Sequence, residues 1–256
     1  MSRTIQEIDH LSQSSIRMYL ACPKQWAALY LDGAPRRSGA ALIKGSAVDH
    51  AADINWQQKR ETGRDIEVED AQELAEEMFR LKVDAAGGRE SINWGADSLP
   101  NALDSALRMT KRHMLDHAPL YTPAITQQRV SVKLRSGRDF IGFIDAVAPD
   151  GTVIDVKSGS RRMSQKDADQ DLQPGAYAFG LGRPVKFVYL RVIDSGRAPV
   201  HSEIVTTARS ARGVEWFAEL ANDVSDAVDA GIFPANPGYS CGWCPIASAC
   251  IAAITA

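Results

Sequence analysis

Apolar residues recur every three to four positions through the first half of the chain, which is the spacing of an amphipathic helix. This pattern predicts helices over residues 11–31, 41–60, 70–83 and 101–117. Cys22-Pro23 interrupts the first of them, and because proline disrupts a helix, we predict two helical pieces that meet at a corner. Residues 1–120 are therefore predicted to be mainly helical.

The pattern changes to short alternating stretches of β-branched and apolar residues after residue 120. Strands are predicted over residues 125–134, 140–148, 152–157, 185–193 and 200–206. Helices are predicted over 166–181, with a kink or restart at Pro174, and over 210–230, followed by a loop-rich tail. We predict one α/β or α+β domain over 1–256, with its core at 121–210 and a C-terminal helix and tail at 211–256.

The composition is that of an ordinary globular protein: of 256 residues, 45% are hydrophobic and 24% are charged. These values exclude a disordered chain, a collagen and a disulfide-rich miniprotein. The sequence has no run of about 18 apolar residues and no apolar leader at its start. We therefore expect no membrane contact and a cytoplasmic location.

The net charge of -3 argues against a polybasic nucleic-acid binder, but the charge is unevenly distributed. Residues 61–90 hold 4 basic and 10 acidic side chains, whereas residues 121–170 hold 8 basic and 6 acidic ones. A nucleic-acid enzyme is compatible with this distribution, because such enzymes use local charge and bound metal. Within the positive stretch we predict that Arg161 and Arg162 contact phosphates, the alternative being a solvated charged loop.

The most informative stretch is an acidic hairpin between residues 142 and 157. If residues 149–151 form a three-residue loop, Asp145 lies opposite Asp155 on the neighbouring strand. Lys157 is two positions beyond Asp155 and projects from the same face. A two-residue loop would instead send the two carboxylates to opposite faces of the sheet.

Two opposed carboxylates beside an ammonium group are a candidate metal site. Like charges that face each other across a sheet destabilise it unless something neutralises them. Carboxylate oxygens suit Mg²⁺ or Mn²⁺, which would polarise a phosphoryl oxygen and lower the pKa of a bound water. Lys157 would orient that water or neutralise charge in the transition state. The alternative is a surface hairpin with a salt bridge.

The four cysteines form a second candidate site. Cys241, Cys244 and Cys250 have C-x₂-C-x₅-C spacing, and Cys22 stands alone near the other end of the chain. In a chain that is predicted to be intracellular, thiolates so close together indicate metal or cluster ligands. Four cysteines suit either tetrahedral Zn²⁺ or a [4Fe-4S] cluster, and buried free thiols or a disulfide are the alternatives.

A pair of histidines also has metal-binding spacing. His113 and His117 are four residues apart on a predicted helix. The HExxH metal motif requires a glutamate after the first histidine, and Met114 occupies that position. We therefore predict a polar helix face here.

Asp145 followed by Asp155-Val156-Lys157 resembles the D…(D/E)xK core of the PD-(D/E)XK nuclease superfamily. Other features are similar to its RecB-like branch, which includes the CRISPR-associated spacer-processing exonucleases. A serine-rich start precedes aromatic residues and Cys22-Pro23, and Gln173 and Tyr177 match the Q-x-x-x-Y motif. One early cysteine with a C-terminal trio resembles the iron–sulfur arrangement of those exonucleases and of the AddB nuclease domain.

The resemblance implies a restriction-endonuclease-like mixed sheet flanked by helices, with a helical N-terminal half and a C-terminal iron–sulfur tail. Asp145, Asp155 and the carbonyl of Val156 would hold Mg²⁺ or Mn²⁺. The family has a histidine four residues after a glycine in its early helix. Here Asp49 stands four residues after Gly45, and His50 follows one position late, so either residue is a candidate ligand.

The resemblance also implies an activity. The expected activity is metal-dependent exonucleolytic hydrolysis of single-stranded DNA or DNA ends, in recombination, repair, end resection or spacer processing. Gln173 and Tyr177 would orient the DNA strand, and a [4Fe-4S] cluster, favoured over zinc, would tie the chain ends together. The sequence has no GxxxxGK[ST] motif, so a helicase, recombinase or other protein is a candidate partner. The size suits a phage or mobile-element gene. The alternative is a catalytically silent DNA-binding or scaffold module that keeps the fold and the cluster.

Overall fold

The computed structural model describes residues 3–36, 38–196, 199–238, 241–242 and 244–255, with side chains up to residue 251. The α-helices are α1 (Gln13–Ala21), α2 (Pro23–Tyr30), α3 (Ala40–Thr62), α4 (Val68–Ala85), α5 (Leu99–Asp116), α6 (Gln165–Gln170), α7 (Leu172–Leu181), α8 (Ala211–Asp229) and α9 (Ala247–Thr255). The strands are β1 (His10–Leu11), β2 (Ile125–Lys133), β3 (Asp139–Val147), β4 (Val153–Gly159), β5 (Val185–Ile193) and β6 (His201–Arg209). Short 3₁₀ helices lie at Ile5–Glu7, Arg89–Ser91 and Ala118–Leu120.

The predicted corner between two N-terminal helices is confirmed. Ser12 caps α1, because its side chain accepts a hydrogen bond from the N–H of Ser15. Cys22 separates α1 from α2, and Pro23 begins α2, where its missing N–H costs no hydrogen bond. The two helices therefore meet at a defined cysteine.

Two sequence expectations about helices were wrong. The predicted helix over 166–181 breaks at Asp171 rather than at Pro174. The Asp171 side chain accepts a hydrogen bond from the N–H of Gln173 and caps α7. Pro174 therefore falls in the first turn of α7, where backbone N–H groups have no partner within the helix and the missing N–H of proline costs nothing. The tail is also more regular than expected, because α9 forms there and carries Cys250.

The six strands in the described part of the chain form one mixed sheet, in which β3 has three neighbours, β1, β2 and β4. The sheet runs in the order β1-β3-β4-β5-β6, and β2 pairs with β3. The β2–β3, β3–β4 and β5–β6 pairs are antiparallel, whereas β1–β3 and β4–β5 are parallel. The α6–α7 pair makes the crossover that a parallel β4–β5 pair requires. This architecture is a mixed α/β sheet flanked by helices, as the sequence predicted.

Helices cover both faces of the sheet. On one face, α3 and α5 pack Val48, Trp56 and Met109 against strand residues that include Ile154. On the other face, α7 and α8 pack against β3, β4 and β5 through two further apolar clusters. The α4 helix lies outside the sheet, against α3 and α5. Of the helices described, none has both the length and the apolar character that a membrane span requires.

The His113/His117 pair lies inside the protein, so the prediction of a polar helix face was wrong. Both side chains are buried, and their rings make an edge contact with centroids 5.4 Å apart. Burial lowers the pKa of His113 to about 3, with a smaller contribution from His117. Trp56 contacts His113 from α3, so the pair forms part of the α3–α5 packing.

The contact between α7 and β2 depends on a glycine and gives a first prediction. A Cβ atom at Gly180 would lie 2.9 Å from Cβ of Val130 and closer still to one of its methyl groups. We expect Gly180→Ala to lower the free energy of unfolding by about 1–3 kcal/mol, because the helix must move off the strand. Adding Val130→Ala should restore part of the loss, and chemical unfolding of the single and double variants measures this coupling. Additive losses would contradict this account.

Candidate functional site

A gap in the sheet defines the candidate site. On the edge of β3 away from β2, β1 pairs only with Asp139 and Phe140, and β4 pairs only with Ala146 and Val147. Between these contacts, at residues 141–145, this edge has no strand partner among the residues that the structure describes. Asp145 ends the unpaired stretch. Backbone and side-chain groups therefore face an opening in the sheet there.

The hairpin has the predicted register. Ala146 pairs with Ile154, and the N–H of Ala148 donates to the carbonyl of Thr152 at 2.8 Å. This is a three-residue loop, and the next opposed positions along the strands are 145 and 155. The two-residue alternative was wrong. The strands separate at the two carboxylates, so these side chains border the gap.

Asp155 is fixed by two partners deep in the site. Its side chain is 0% exposed, Gln173 Nε2 donates to its Oδ1 at 2.6 Å, and Lys157 Nζ lies 2.6 Å from its Oδ2. Gln173 also donates to the hydroxyl of Tyr177 at 2.9 Å. Because Asp171 caps α7 at the N–H of Gln173, the helix start itself positions the amide that holds Asp155.

The remaining carboxylates crowd around this pair. Burial raises the pKa of Asp145 well above its usual value, and the charges of Asp155 and Asp49 act in the same direction. Asp49 is open to solvent on one side, yet the protein packed around it raises its pKa to about 6. Lys157 opposes that increase, and Asp155 and Asp53 add to it. The cluster thus holds more negative charge than one ammonium group neutralises.

The same carboxylates also change the pKa of Lys157. Burial alone would lower the pKa of its ammonium group, but Asp155, Asp145 and Asp49 together raise it. Lys157 is therefore charged at neutral pH and acts as a fixed cation beside the carboxylates. A cation in this position can neutralise a phosphate or orient a water molecule.

Asp49 is part of the charge cluster. It interacts electrostatically with Asp145, Asp155 and Lys157. Adjacent residues on a helix point about 100° apart, so Asp49 and His50 cannot both point at the same metal ion. The side chain of Val156 packs against α3. After Ile154, the edge of β4 that faces β3 has no strand partner among the described residues.

The donor chemistry of the site fits a divalent cation. Asp49, Asp145 and Asp155 supply oxygen atoms, and their mutual repulsion is the kind of unfavourable charge that a bound ion relieves. Even so, in the part of the chain that is described, no three His, Cys, Asp or Glu side chains are arranged so that they could already hold a metal ion. Closing the site on an ion would therefore require side-chain movement.

The two predicted phosphate contacts lie on an exposed loop after β4. Arg161 and Arg162 are exposed, and neither guanidinium group has a hydrogen-bond or ion-pair partner within the described ranges. Arg191 on β5 donates to the backbone carbonyl of Arg161 at 3.0 Å and so anchors the loop. The loop begins three residues after Lys157.

The four cysteines meet at one place, although they come from opposite ends of the chain. Together they line a small cavity of about 20 Å³. Sγ of Cys22 accepts the N–H of Asn236, and Sγ of Cys241 accepts the N–H of Gly238, each at 3.4 Å. All four are free thiols, so the disulfide alternative was wrong. Sulfur atoms are ligands for a thiolate-bound metal or cluster, but among the described residues no three of these side chains are arranged to hold one.

Two features of the site were missed in the sequence. Asp53 adds to the charge around Asp49, and the four-residue spacing on one helix could have revealed it. Gln127 on β2 lies opposite the position of Asp145 on β3. Its φ of 49° is rare for a residue with a side chain. Nothing in the sequence indicates that conformation.

The fold and the site can now be compared with known proteins. The family model of the PD-(D/E)XK nuclease superfamily matches residues 10–251. The chain belongs to this superfamily. PD-(D/E)XK nucleases typically use divalent metals such as Mg²⁺, in agreement with the chemistry of the carboxylate cluster. The comparison with curated proteins found no match.

One solved structure supports the same fold for this PD-(D/E)XK protein. The crystal structure of "Putative exonuclease" from Eubacterium rectale is 13% identical and has a TM-score of 0.61. The match covers 93% of this chain and 88% of that chain. The crystal structure of SSO0001 is 11% identical over 92% of this chain and 91% of that chain, with a TM-score of 0.35. At 13% identity, the match to the Eubacterium rectale protein shows a shared fold and nothing more.

Proposed function

We propose that this protein is a metal-dependent DNA exonuclease of the RecB-like branch. The observation that carries the proposal is the fully buried Asp155, which faces the position of Asp145 across a gap in the sheet and holds Lys157 at 2.6 Å. Buried like charges are costly unless a bound group compensates for them. A metal ion bound by these carboxylates during catalysis would compensate for this cost.

Each residue of the cluster has a proposed role. Asp145, Asp155 and the carbonyl of Val156 would hold Mg²⁺ or Mn²⁺, with Asp49 as a further ligand and His50 as the alternative to it. The ion would polarise the scissile phosphate and acidify a bound water. Lys157 orients the attacking water and neutralises charge on the phosphate. Gln173 holds Asp155 in place through its amide.

Substrate contacts are proposed for two regions. Arg161 and Arg162 bind phosphates without reading sequence, because their guanidinium groups are exposed and free within the described residues. Gln173 and Tyr177 are predicted to orient the DNA strand. Both are largely buried, so we propose that they act mainly through Asp155. The substrate is single-stranded DNA or a DNA end.

Cleavage of labelled DNA tests the proposal and its metal requirement. We expect loss of the 5′ or 3′ label from linear single strands with Mn²⁺ or Mg²⁺, and no loss in EDTA, because the carboxylates need the ion. Circular single strands are the control, since an exonuclease needs an end. Cleavage of circles would replace the exonuclease with an endonuclease. No cleavage of any substrate with either metal would favour the catalytically silent DNA-binding or scaffold module.

We also propose that Cys22, Cys241, Cys244 and Cys250 bind a [4Fe-4S] cluster. The support is that thiols from both chain ends line one cavity. The segment before the cysteine trio is already attached to α1 and α2. Tyr19 on α1 donates to the carbonyl of Ile232 at 2.6 Å, and the N–H of Lys24 on α2 donates to the carbonyl of Pro234 at 3.1 Å. The cluster would add a covalent tie to these contacts and have a structural role.

Metal content decides between the cluster and zinc. We expect anaerobically purified protein to absorb near 400 nm, and Cys22→Ser to lose most of that absorbance, because one of four ligands is removed (roughly 400 nm is where such clusters absorb). A substitution of the exposed Ser14 by alanine, on the helix α1 that precedes Cys22, is the control. A colourless protein with one zinc ion per chain would replace the cluster with zinc.

The biological setting is part of the proposal. A RecB-like exonuclease of the AddB or CRISPR-associated kind would act in recombination, repair, end processing or spacer processing. It would work in the cytoplasm with a helicase or recombinase as partner. A phage or mobile-element origin would suit a free-standing nuclease of this size.

A further inference from the structure

We propose that an exposed part of the sheet beside the carboxylates binds the substrate as an unpaired strand. This surface, the β2–β3 platform, consists of Gln127, Arg129 and Phe143, all of which are exposed. Phe143 stacks on a base that has no pairing partner, and Arg129 binds a neighbouring phosphate. The inference rests on the proposed function, because it assigns the substrate class of that same site.

The platform lies on the same strand as Asp145, which follows Phe143 by two positions. Phe143 and Asp145 flank Ile144, whose side chain is buried in the cluster that contains Tyr177. Alternate residues of a strand project from opposite faces, so Phe143 points away from that cluster. Arg129 pairs directly with Phe143 across the two strands, and side chains so opposed are about 5 Å apart at Cβ.

The α3 helix, which carries Asp49, lies at the other end of this face. Arg60 near the end of α3 donates to the hydroxyl of Thr126 on β2 at 3.3 Å. Asp49 on the same helix interacts with Asp145. The helix that carries Asp49 therefore also contacts β2, the strand that carries Arg129.

Two properties of the platform suit an unpaired strand. Phe143 is 54% exposed, and Trp216 at 53% is the other Phe or Trp among the large exposed side chains described. One exposed aromatic residue is ordinary by itself. Phe143 differs because a guanidinium group stands opposite it: Arg129 has no hydrogen-bond or ion-pair partner in the described part of the chain.

A groove lined by residues of α3 and α5 lacks this free positive charge. Its lining includes Lys44 and Arg108, but Lys44 is paired with Asp97 at 2.9 Å and Arg108 with Asp194 at 2.7 Å. Cations that are already neutralised release little free energy on binding phosphate. The platform is therefore the better path for the DNA backbone.

A single strand suits the platform better than a duplex does. Stacking on an aromatic side chain needs a base whose face is free, and paired bases in a duplex are stacked on one another. A base that stacks on Phe143 would hold the strand close to Asp145, since the two residues are only two strand positions apart. Binding at the platform would thus place a phosphate near the carboxylates.

Binding and cleavage are measured separately to test the platform. Fluorescence anisotropy of a labelled oligo-dT in EDTA reports binding without cleavage. We expect Phe143→Ala to weaken binding about 10- to 100-fold, whereas Phe143→Trp keeps the affinity of the wild type. Trp216→Ala is the matched control because its side chain is equally exposed, and it should bind oligo-dT as the wild type does. Arg129→Gln should reduce the slope of log affinity against log salt by about 0.7.

The outcomes separate this inference from the proposed function. Wild-type affinity in Phe143→Ala, or an equal loss in Trp216→Ala, overturns the platform even if the protein cleaves DNA. Phe143-dependent binding by a protein that cleaves no DNA supports the platform and overturns the nuclease proposal. No binding of oligo-dT by the wild type overturns the platform. Circular dichroism of Phe143→Leu, which keeps an apolar side chain but loses the aromatic ring, checks that weaker binding does not come from unfolding.

Discussion

Replacing Asp155 by asparagine is expected to lower the rate of DNA cleavage about 10³-fold, with no loss of stability. Asparagine keeps the shape of the side chain and can still bond to Gln173, but it removes a proposed metal ligand and the charge that Lys157 faces. Stability should hold because the charge of Asp155 contributes to the raised pKa of Asp145 and Asp49. Removing it relieves repulsion within the cluster.

Three measurements on Asp155→Asn separate a catalytic role from a structural one. Cleavage of labelled single strands gives the rate, and thermal unfolding in EDTA gives the stability. Thermal unfolding with added Mn²⁺ is the third measurement, since an ion that binds only the folded state stabilises it by about 2.7 kcal/mol at 100 times its dissociation constant. The wild type should gain stability with Mn²⁺ and the variant should not. A variant that unfolds at a much lower temperature in EDTA would identify Asp155 as a structural residue instead.

Arg138→Ala is expected to cost about 3–5 kcal/mol of stability, the largest loss we predict for a single side chain. The Arg138 side chain is 6% exposed and donates to the carbonyl of Ile8 at 2.6 Å. It also donates to Ser225 Oγ and to Asp229 Oδ1, each at 2.8 Å, and so joins the N-terminal segment, β3 and α8. Truncation leaves buried acceptors without a donor.

A neighbouring arginine provides the matched control for Arg138. Arg135 also bonds to α8, through Asp223 and Asp226 at 3.1 Å each, but its side chain is 60% exposed. We expect Arg135→Ala to cost about 1 kcal/mol or less, because exposed ion pairs contribute little. Urea unfolding of both variants measures the difference. Equal losses would show that Arg138 stabilises the protein only through its surface charge pair.

The register of the acidic hairpin was predictable because a short loop fixes it. A three-residue loop at 149–151 leaves one antiparallel pairing in which positions 145 and 155 are opposed, and Ala146 pairs with Ile154 as that pairing requires. The corner at Cys22-Pro23 was predictable for a similar reason, since proline acts on the backbone locally. Local rules of this kind need no knowledge of the tertiary structure.

The gap in the sheet was not predictable, because it depends on a contact between distant segments. The β1 strand has two residues, His10 and Leu11, which is too short for any alternation to show. The burial of His113 likewise depends on how α3 packs on α5, and its sequence spacing alone indicates an exposed face as readily as an interior one. Tertiary packing decides both features, so a single sequence carries little signal for them.

The three-residue loop also limits which changes in chain length this hairpin can accept over evolution. Pro149 and Asp150 at its tip are exposed and can be exchanged at modest cost. Inserting or deleting one residue there would shift the strand by one position and turn either Asp145 or Asp155 to the other face. We therefore expect relatives that cleave DNA to keep the length of this loop while its sequence varies, and insertions to accumulate at connections that leave the pairing of β3 with β4 unchanged.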